Sequence, residues 1–428
     1  VSATEVQAKT PRRRRSGWER WQRPLLFGFS ALLLLSIVAR VTDSPELLSS
    51  GTYGAAFRLA IPILLAGLGG LFSERVGVVN IGLEGMMILG TWFGAWAAWQ
   101  YGPWWGVALA LVGGALGGLL HAVATVTFGV DHVVSGVAIN ILAAGAARFL
   151  SVISYAPGSG GGATQSPRVS GSTGSASLPF LAGGDVFGWQ SPNFLGWLEG
   201  RRLFFVSDVA ALFRGPAETL SWLLVLAIAM VPLTWYVLWR TPLGLRLRSV
   251  GEQPVAAESL GVRVYSLKYL GVTISGALAG MGGAVLVFEA AGIYREGQTQ
   301  GRGFIALAAL IFGNWRPSGV AGAAGLFGYS DALQLRSETA VHGLLLYVAL
   351  VLIGAAALAA YRRSTRRALI MAFAGAVFFW WYATTDTVPR QFVFFTPHLV
   401  TLLVLTFAAQ RLRPPASAGR PYRRGQTE

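Results

Sequence analysis

The chain is a succession of long apolar runs separated by short polar or basic connections. Runs of about 20 apolar residues are long enough to cross a bilayer as helices. The pattern predicts spans at 25–39, 55–72, 81–99, 104–128 and 133–153. A long polar segment, 156–215, follows. Its first part is rich in Gly and Ser, cannot bury a core, and is expected to be flexible. Its second half carries aromatic residues between Phe187 and Phe213 that would pack on the outer face. Further spans fall at 219–239 and 268–291, a half-length run at 304–312, and spans at 319–335 and 343–361. Two more apolar runs, 368–383 and 397–409, come before the end. The first run has the basic start of a signal peptide, but no small-x-small cleavage site follows it, so it reads as an uncleaved span.

This pattern predicts an all-α polytopic membrane protein with a ten-span core and about two extra C-terminal spans. The expected regions are a basic tail at 1–24, an N-terminal transmembrane half at 25–153 and an outer segment at 154–218. A C-terminal half at 219–361, extra helices at 362–410 and a tail at 411–428 complete them. One hexapeptide recurs. Residues 65–70 read LAGLGG and residues 278–283 read LAGMGG. The two lie in spans expected to run in opposite directions, the pattern of an inverted-topology repeat. With 55 glycines in the chain, the bland reading is a chance match between small-residue helices.

Charge supports the topology. Only 12% of residues are charged, about half the share usual in a soluble domain, and the mean hydropathy is +0.54. The net charge of +15 could suggest nucleic acid, but its distribution argues against that. Lysine occurs only at Lys9 and Lys268, and every other basic residue is arginine. Most of them fall within the first 23 residues, 240–268, 362–367 and the tail from Arg411. The map places all four regions on one side, as the positive-inside rule requires, with anionic membrane lipid as their contact. The chain has no cysteine, which excludes disulfides and thiolate metal sites. His121, His132, His342 and His398 show no metal-ligand spacing and read as packing residues.

The chemistry concentrates in two stretches. Residues 73–90, SERVGVVNIGLEGMMILG, combine repeated glycines with Asn80 and Glu84. Glycine weakens a helix, so this part is expected to be a broken helix of the kind that exposes backbone near a transport pathway. An acidic residue inside a span is costly and suggests function; the plain alternative is that Glu84 pairs with Arg75 or caps a helix. Asn140 and Glu289 are weaker candidates of the same kind. The second stretch, 240–262, is polar and basic between two apolar runs. Pro254 suits the first turn of a helix and Gly261 suits its stop, so a short helix at 254–260 is expected. By composition alone it could equally be a solvated connection. There is no G-x-x-x-x-G-K-[S/T], G-x-S-x-G or H-E-x-x-H, and nothing supports an enzyme.

Four segments in order carry a resemblance: 73–90, GLRLRSVGEQPVAAESLGV, SGALAGMGGA and GRGFIALAALIFGNWRP. Together they resemble permease subunits of bacterial ABC importers, of the nucleoside and simple-sugar type that works with basic-membrane-protein-type lipoproteins. The resemblance covers roughly 55–335. It implies that the helix within 252–261 docks on a separate ATPase subunit, with Glu252, Pro254, Ala256, Ala257, Glu258 and Gly261 as coupling residues. Asn80, Glu84, Asn140 and Glu289 would line the substrate pathway. It also implies a second permease subunit, a heterodimer by expectation, and a substrate-binding lipoprotein, with this chain a multi-pass protein of the bacterial cytoplasmic (inner) membrane. This chain would hold no cofactor, since ATP and Mg would be bound by the ATPase. The solute would be neutral and hydroxyl-rich, a nucleoside first. The long outer segment and the extra C-terminal spans depart from the pattern. Two rival classes remain: an ion-coupled secondary transporter, which would need midplane carboxylates but no cytoplasmic coupling helix, and an intramembrane enzyme.

Overall fold

A computed structural model describes residues 17–155, 160–176, 178–186, 189–218, 220–335, 338–389 and 412–423. The run expected at 397–409 and the arginines at 12–15 lie outside them. The described residues are helical except for one short antiparallel hairpin, β1 (Gly184–Val186) and β2 (Trp189–Ser191), in the outer segment. In order, the helices begin with α1 (Gly17–Val41), α2 (Ser50–Glu74), α3 (Leu83–Tyr101), α4 (Pro103–Ala122) and α5 (His132–Ser154). The outer segment adds α6 (Phe194–Gly200) and α7 (Val206–Glu218). Then come α8 (Trp222–Arg240), α9 (Pro242–Glu252), α10 (Pro254–Ser259), α11 (Val264–Val285), α12 (Arg302–Phe312), α13 (Pro317–Gln334), α14 (Glu338–Tyr361) and α15 (Thr365–Thr384). One π-helical turn extends α4 to Thr127 and another extends α11 to Ala291.

Seven of the described helices are long and apolar enough to cross a membrane. They are α2, α4, α5, α8, α11, α14 and α15, so this is a polytopic membrane protein. At 19 and 18 residues, α3 and α13 reach spanning length but are less apolar. With 11 residues, α12 extends about 16 Å, half a crossing, as its short apolar run predicts.

The chain divides into two compact units. One comprises Val1–Leu48 and His342–Asp386. In it the Tyr347 hydroxyl donates to the Ala31 carbonyl of α1 (3.4 Å), and His342 stacks on Tyr382. The other comprises Ser49–Val341 and Thr387–Glu428 and contains the candidate site. Its centre is the pair α2 and α11, the most deeply buried of the long helices. Here α2 also packs on α12 and α13, while α11 packs on α3 and α4.

The recurring hexapeptides sit in these contacts. A Cβ on Gly69 of α2 would lie 2.5 Å from the Ser275 carbonyl of α11, and one on Gly282 of α11 would lie 3.0 Å from the Pro62 carbonyl of α2. The two helices therefore cross in opposite directions, with their backbones as close as glycine permits. The other hexapeptide glycines face the remaining neighbours. Gly67 meets Val320 of α13, Gly280 meets Gly114 of α4, Gly70 meets Leu310 of α12, and Gly283 meets Met87 and Thr91 of α3.

Two expectations need correction. The stretch 240–262 contains two helices rather than one. Thr241 caps α9, its side chain accepting from the Gly244 N–H (3.1 Å), and Pro242 opens it. Gly244, Leu247, Val250 and Gly251 form its buried stripe. The arginines in between made this amphipathic helix read as a solvated connection. Second, the Gly/Ser-rich segment is not left without partners. Val169 packs against the buried cluster of Trp92, Tyr155 and Tyr294, Ala176 is buried, and the segment's backbone is hydrogen-bonded to residues 292–296.

Candidate functional site

Between α2 and α3 the chain breaks from helix over Arg75–Gly82, as the glycines predict. Gly77 has φ +82°, the left-handed region open to glycine. A break inside a membrane protein must find partners for its backbone polar groups. Here they come from side chains of three helices, α2, α4 and α5. Ser73 Oγ donates to the Val78 carbonyl (2.6 Å). The His121 Nε2–H donates to the Val79 carbonyl (3.1 Å), while its Nδ1 is hydrogen-bonded to the Ser135 hydroxyl (2.9 Å). His132 Nδ1 accepts from the Val79 N–H (3.3 Å), so that nitrogen carries no proton in this arrangement. Asn140 closes the upper end of the break: its Nδ2 donates to the Ile81 carbonyl (3.1 Å) and its Oδ1 accepts from the Gly85 N–H (2.7 Å).

Asn80 is fully buried in this break. Its Nδ2 donates to Ser275 Oγ of α11 (2.9 Å), and its Oδ1 has no hydrogen-bond partner among the described residues. Glu84 is buried too, and both its oxygens are engaged. Oε1 accepts from the Gly301 N–H (2.9 Å) and Oε2 from the Gly303 N–H (2.7 Å). Glu84 thus caps the N-terminus of α12, where unpaired donors and the helix dipole favour a negative charge. It does not pair with Arg75, whose Nη2 donates to the Trp315 carbonyl (2.7 Å).

This contact brings the N-termini of α3 and α12 together and defines a second break, 292–301, between α11 and α12. The end of this segment meets Glu84. Because α12 is only half a crossing long, the irregular segment must cover the remaining depth. Its outer part is held by the Gly/Ser-rich segment. The Ser166 N–H donates to the Tyr294 carbonyl (3.0 Å), the Tyr294 N–H to Ser166 Oγ (2.9 Å), the Val169 N–H to the Gly292 carbonyl (2.9 Å) and the Glu296 N–H to the Thr164 carbonyl (2.8 Å). Glu289 lies at this outer end, half-buried, and accepts from the hydroxyls of Ser221 (2.6 Å) and Thr173 (3.5 Å). At the inner end of the break, Arg302 makes a buried ion pair with Asp331 of α13 (2.8 Å).

Sequence reasoning missed Arg302, Asp331, Ser275 and the role of the two histidines. Asp331 carried a usable signal, an acidic residue inside an apolar run, by the same rule that flagged Glu84. The histidines carried none, because their partner is the backbone of a single distant residue.

The basic stretch between α8 and α11 forms a corner. Glu252 ends α9, 3.9 Å from Arg75, and Gln253 turns the chain into α10. Burial lowers the Arg75 pKa from its ordinary value, and the Glu252 carboxylate acts in the opposite direction. Pro254 opens α10 as expected. The Val262 N–H bonds to the Ala257 carbonyl and the Gly261 N–H to the Glu258 carbonyl, with Gly261 at φ +80°. This is a Schellman cap, so the expected stop at Gly261 is real. Ala257 faces inward and is buried, whereas Val255, Ala256 and Leu260 are exposed, Leu260 at 84%. Glu258 accepts from the Tyr422 hydroxyl of the C-terminal segment.

A family model described as branched-chain amino acid transport system / permease component matches residues 53–354. The guanosine ABC transporter permease protein NupQ of Bacillus subtilis is 34% identical over 374 residues, 86% of this chain and 94% of that relative. The nucleoside ABC transporter permease protein NupC of Lactococcus lactis is 37% identical over 281 residues, 64% of this chain and 78% of the relative. A putative glucose ABC transporter permease protein of Haloferax volcanii is 35% identical over 293 residues, 68% of this chain and 79% of the relative. No solved structure matches. A permease component of an ABC transporter works with an ATPase and a binding protein. The chain belongs to the family of branched-chain amino acid transport system permease components, and is a multi-pass ABC transport subunit rather than an enzyme.

Proposed function

We propose that this chain moves nucleosides inward across the bacterial cytoplasmic membrane. The observation that carries the substrate class is the similarity to the guanosine permease, which extends over 94% of that relative. The site chemistry agrees. The unpartnered Asn80 amide oxygen at the first break suits a neutral, hydrogen-bonding solute. Of the buried carboxylates beside the breaks, Glu84 is held by two backbone donors, Asp331 by Arg302 and Glu74 by the Trp315 indole N–H. That weighs against the ion-coupled secondary transporter, which needs a carboxylate able to take up a cation. Asn80 is the solute-facing residue, Asn140 holds the backbone of the first break, Glu84 holds the two helix N-termini in register, and Glu289 stands at the outer end of the pathway.

The architecture is a ten-span core with an inverted repeat, extended by C-terminal spans. The reciprocal contacts of Gly69 with Ser275 and of Gly282 with Pro62 support a two-fold relation between α2 and α11. ATP and Mg are bound by a separate ATPase that grips the α9–α10 corner. A second, non-identical permease subunit and a substrate-binding lipoprotein complete the importer. The test is uptake of labelled guanosine by cells expressing the complete transporter, with unlabelled guanosine, cytidine and glucose as competitors. Nucleosides should compete and glucose should not. Competition by glucose alone would reassign the chain to sugar transport.

A further inference from the structure

The C-terminal segment 412–423 runs across the cytoplasmic ends of the core. The Arg413 N–H donates to Asn314 Oδ1 after α12 (2.8 Å), and the Ala416 N–H to Glu252 Oε2 (3.3 Å). Ser417 is buried and donates twice to the Gly251 carbonyl, from its N–H (3.0 Å) and its hydroxyl (2.7 Å). The Gly419 N–H then reaches the Gly77 carbonyl of the first break (3.2 Å). Gly77 has room for no side chain here, since a Cβ would lie 2.6 Å from Ser417 Oγ. Finally Tyr422 packs against Tyr265 of α11 (5.7 Å between rings), lies 5.7 Å from Lys268 Nζ, and donates its hydroxyl to Glu258 of α10.

One strap therefore touches the end of α9, the helix α10, the start of α11, the end of α12 and the first break. We infer that the C-terminal strap is a coupling element, carrying movement of the α10 corner to the break that holds Asn80, with Ser417, Gly419 and Tyr422 as its positioning residues. The inference rests on the reading of that corner as the ATPase contact. An autoinhibitory cover would have to hide the docking face, and the strap does not. It binds Glu258 on one flank and leaves Val255, Ala256 and Leu260 exposed. It also removes Glu258 from the groups that could meet the ATPase as a free carboxylate.

The chain has no cysteine, so Ile81→Cys places its single thiol in the first break. In the assembled transporter, thiol labelling of this reporter is timed in the resting state and after trapping the ATPase with ATP and vanadate. The full-length chain should show a change in rate of about fivefold or more, the usual scale of coupling between sites. A chain ending at residue 411 should keep the ATPase and its hydrolysis but lose that change. Tyr422→Phe, which keeps the ring and removes one hydroxyl, should reduce it without altering membrane abundance. The strap reading is overturned by the same change with and without the strap, by no change in the full-length chain, or by loss of the ATPase on truncation. Leu260→Arg serves as a separate arm: if the ATPase stays bound to it, the corner reading fails, whatever the strap does.

Discussion

The two breaks in the core solve one problem in different ways. Both leave backbone polar groups without helical partners inside a membrane protein. The first break, 75–82, is secured by side chains that reach in from neighbouring helices: Ser73, His121, His132, Asn140 and Ser275. The second break, 292–301, is secured at its outer end by the backbone of a polar segment and at its inner end by a carboxylate and an ion pair. The first is built into the helix bundle, and the second leans on a connection. The difference teaches where mobility can reside. Opening the outer end of the second break exchanges bonds to the outer segment for water, whereas opening the first break means separating packed helices.

The comparison can be broken most severely at the inner end of the second break. Asp331→Asn should strand the Arg302 guanidinium among buried groups and cost about 3–5 kcal/mol. Thermal aggregation of the purified protein should show it. The pair Arg302→Met with Asp331→Leu should recover most of the loss, because a buried ion pair is often replaceable by apolar residues. If the double variant is as damaged as the single one, Arg302 has a role beyond the pair.

Glu84 is the shared element. Glu84→Ala orphans the Gly301 and Gly303 N–H groups, at about 1–3 kcal/mol each. Melting should reveal this, together with a marked loss of uptake, since the register of α3 and α12 depends on it. Stability equal to the parent would mean that the two helix N-termini do not need the carboxylate.

A smaller effect separates the two modes of support. His132→Phe removes the acceptor for the half-buried Val79 N–H and should cost about 1–3 kcal/mol. Ser166→Ala removes two bonds at the outer end of the second break, the one from the buried Tyr294 N–H and the one from its own hydroxyl to the Pro167 carbonyl, and should also cost about 1–3 kcal/mol. Hydrogen exchange should show faster opening of 76–82 in the first variant and of 292–296 in the second. Equal responses would erase the distinction between a built-in break and a leaning one.

How much of this was legible in the sequence follows from where the partners lie. The first break announced itself, because its glycines, Asn80 and Glu84 are adjacent in the chain. Most of the long helices emerged within a few residues of their expected ends, since length and hydropathy set them, but α1 begins at Gly17 rather than 25 and the outer helices α6 and α7 were not expected. The half-length α12 was visible, but its partner Glu84 lies more than 200 residues away, and no local pattern joins the two. The helix α9 was hidden because its arginines outweighed its narrow buried stripe. The inward turn of Ala257 could not be read either. On a six-residue helix, the facing is set by what α9 and α11 leave open.

The central claim is that the exposed side of α10 is where the ATPase engages this chain. Its most direct test is co-purification of the ATPase with Ala256→Arg and Leu260→Arg, with membrane abundance as the control. Both side chains point away from the core, so both variants should insert and fold. The account predicts loss of the ATPase from both, and with it loss of uptake. Retention of the ATPase by both variants, with normal uptake, would contradict it.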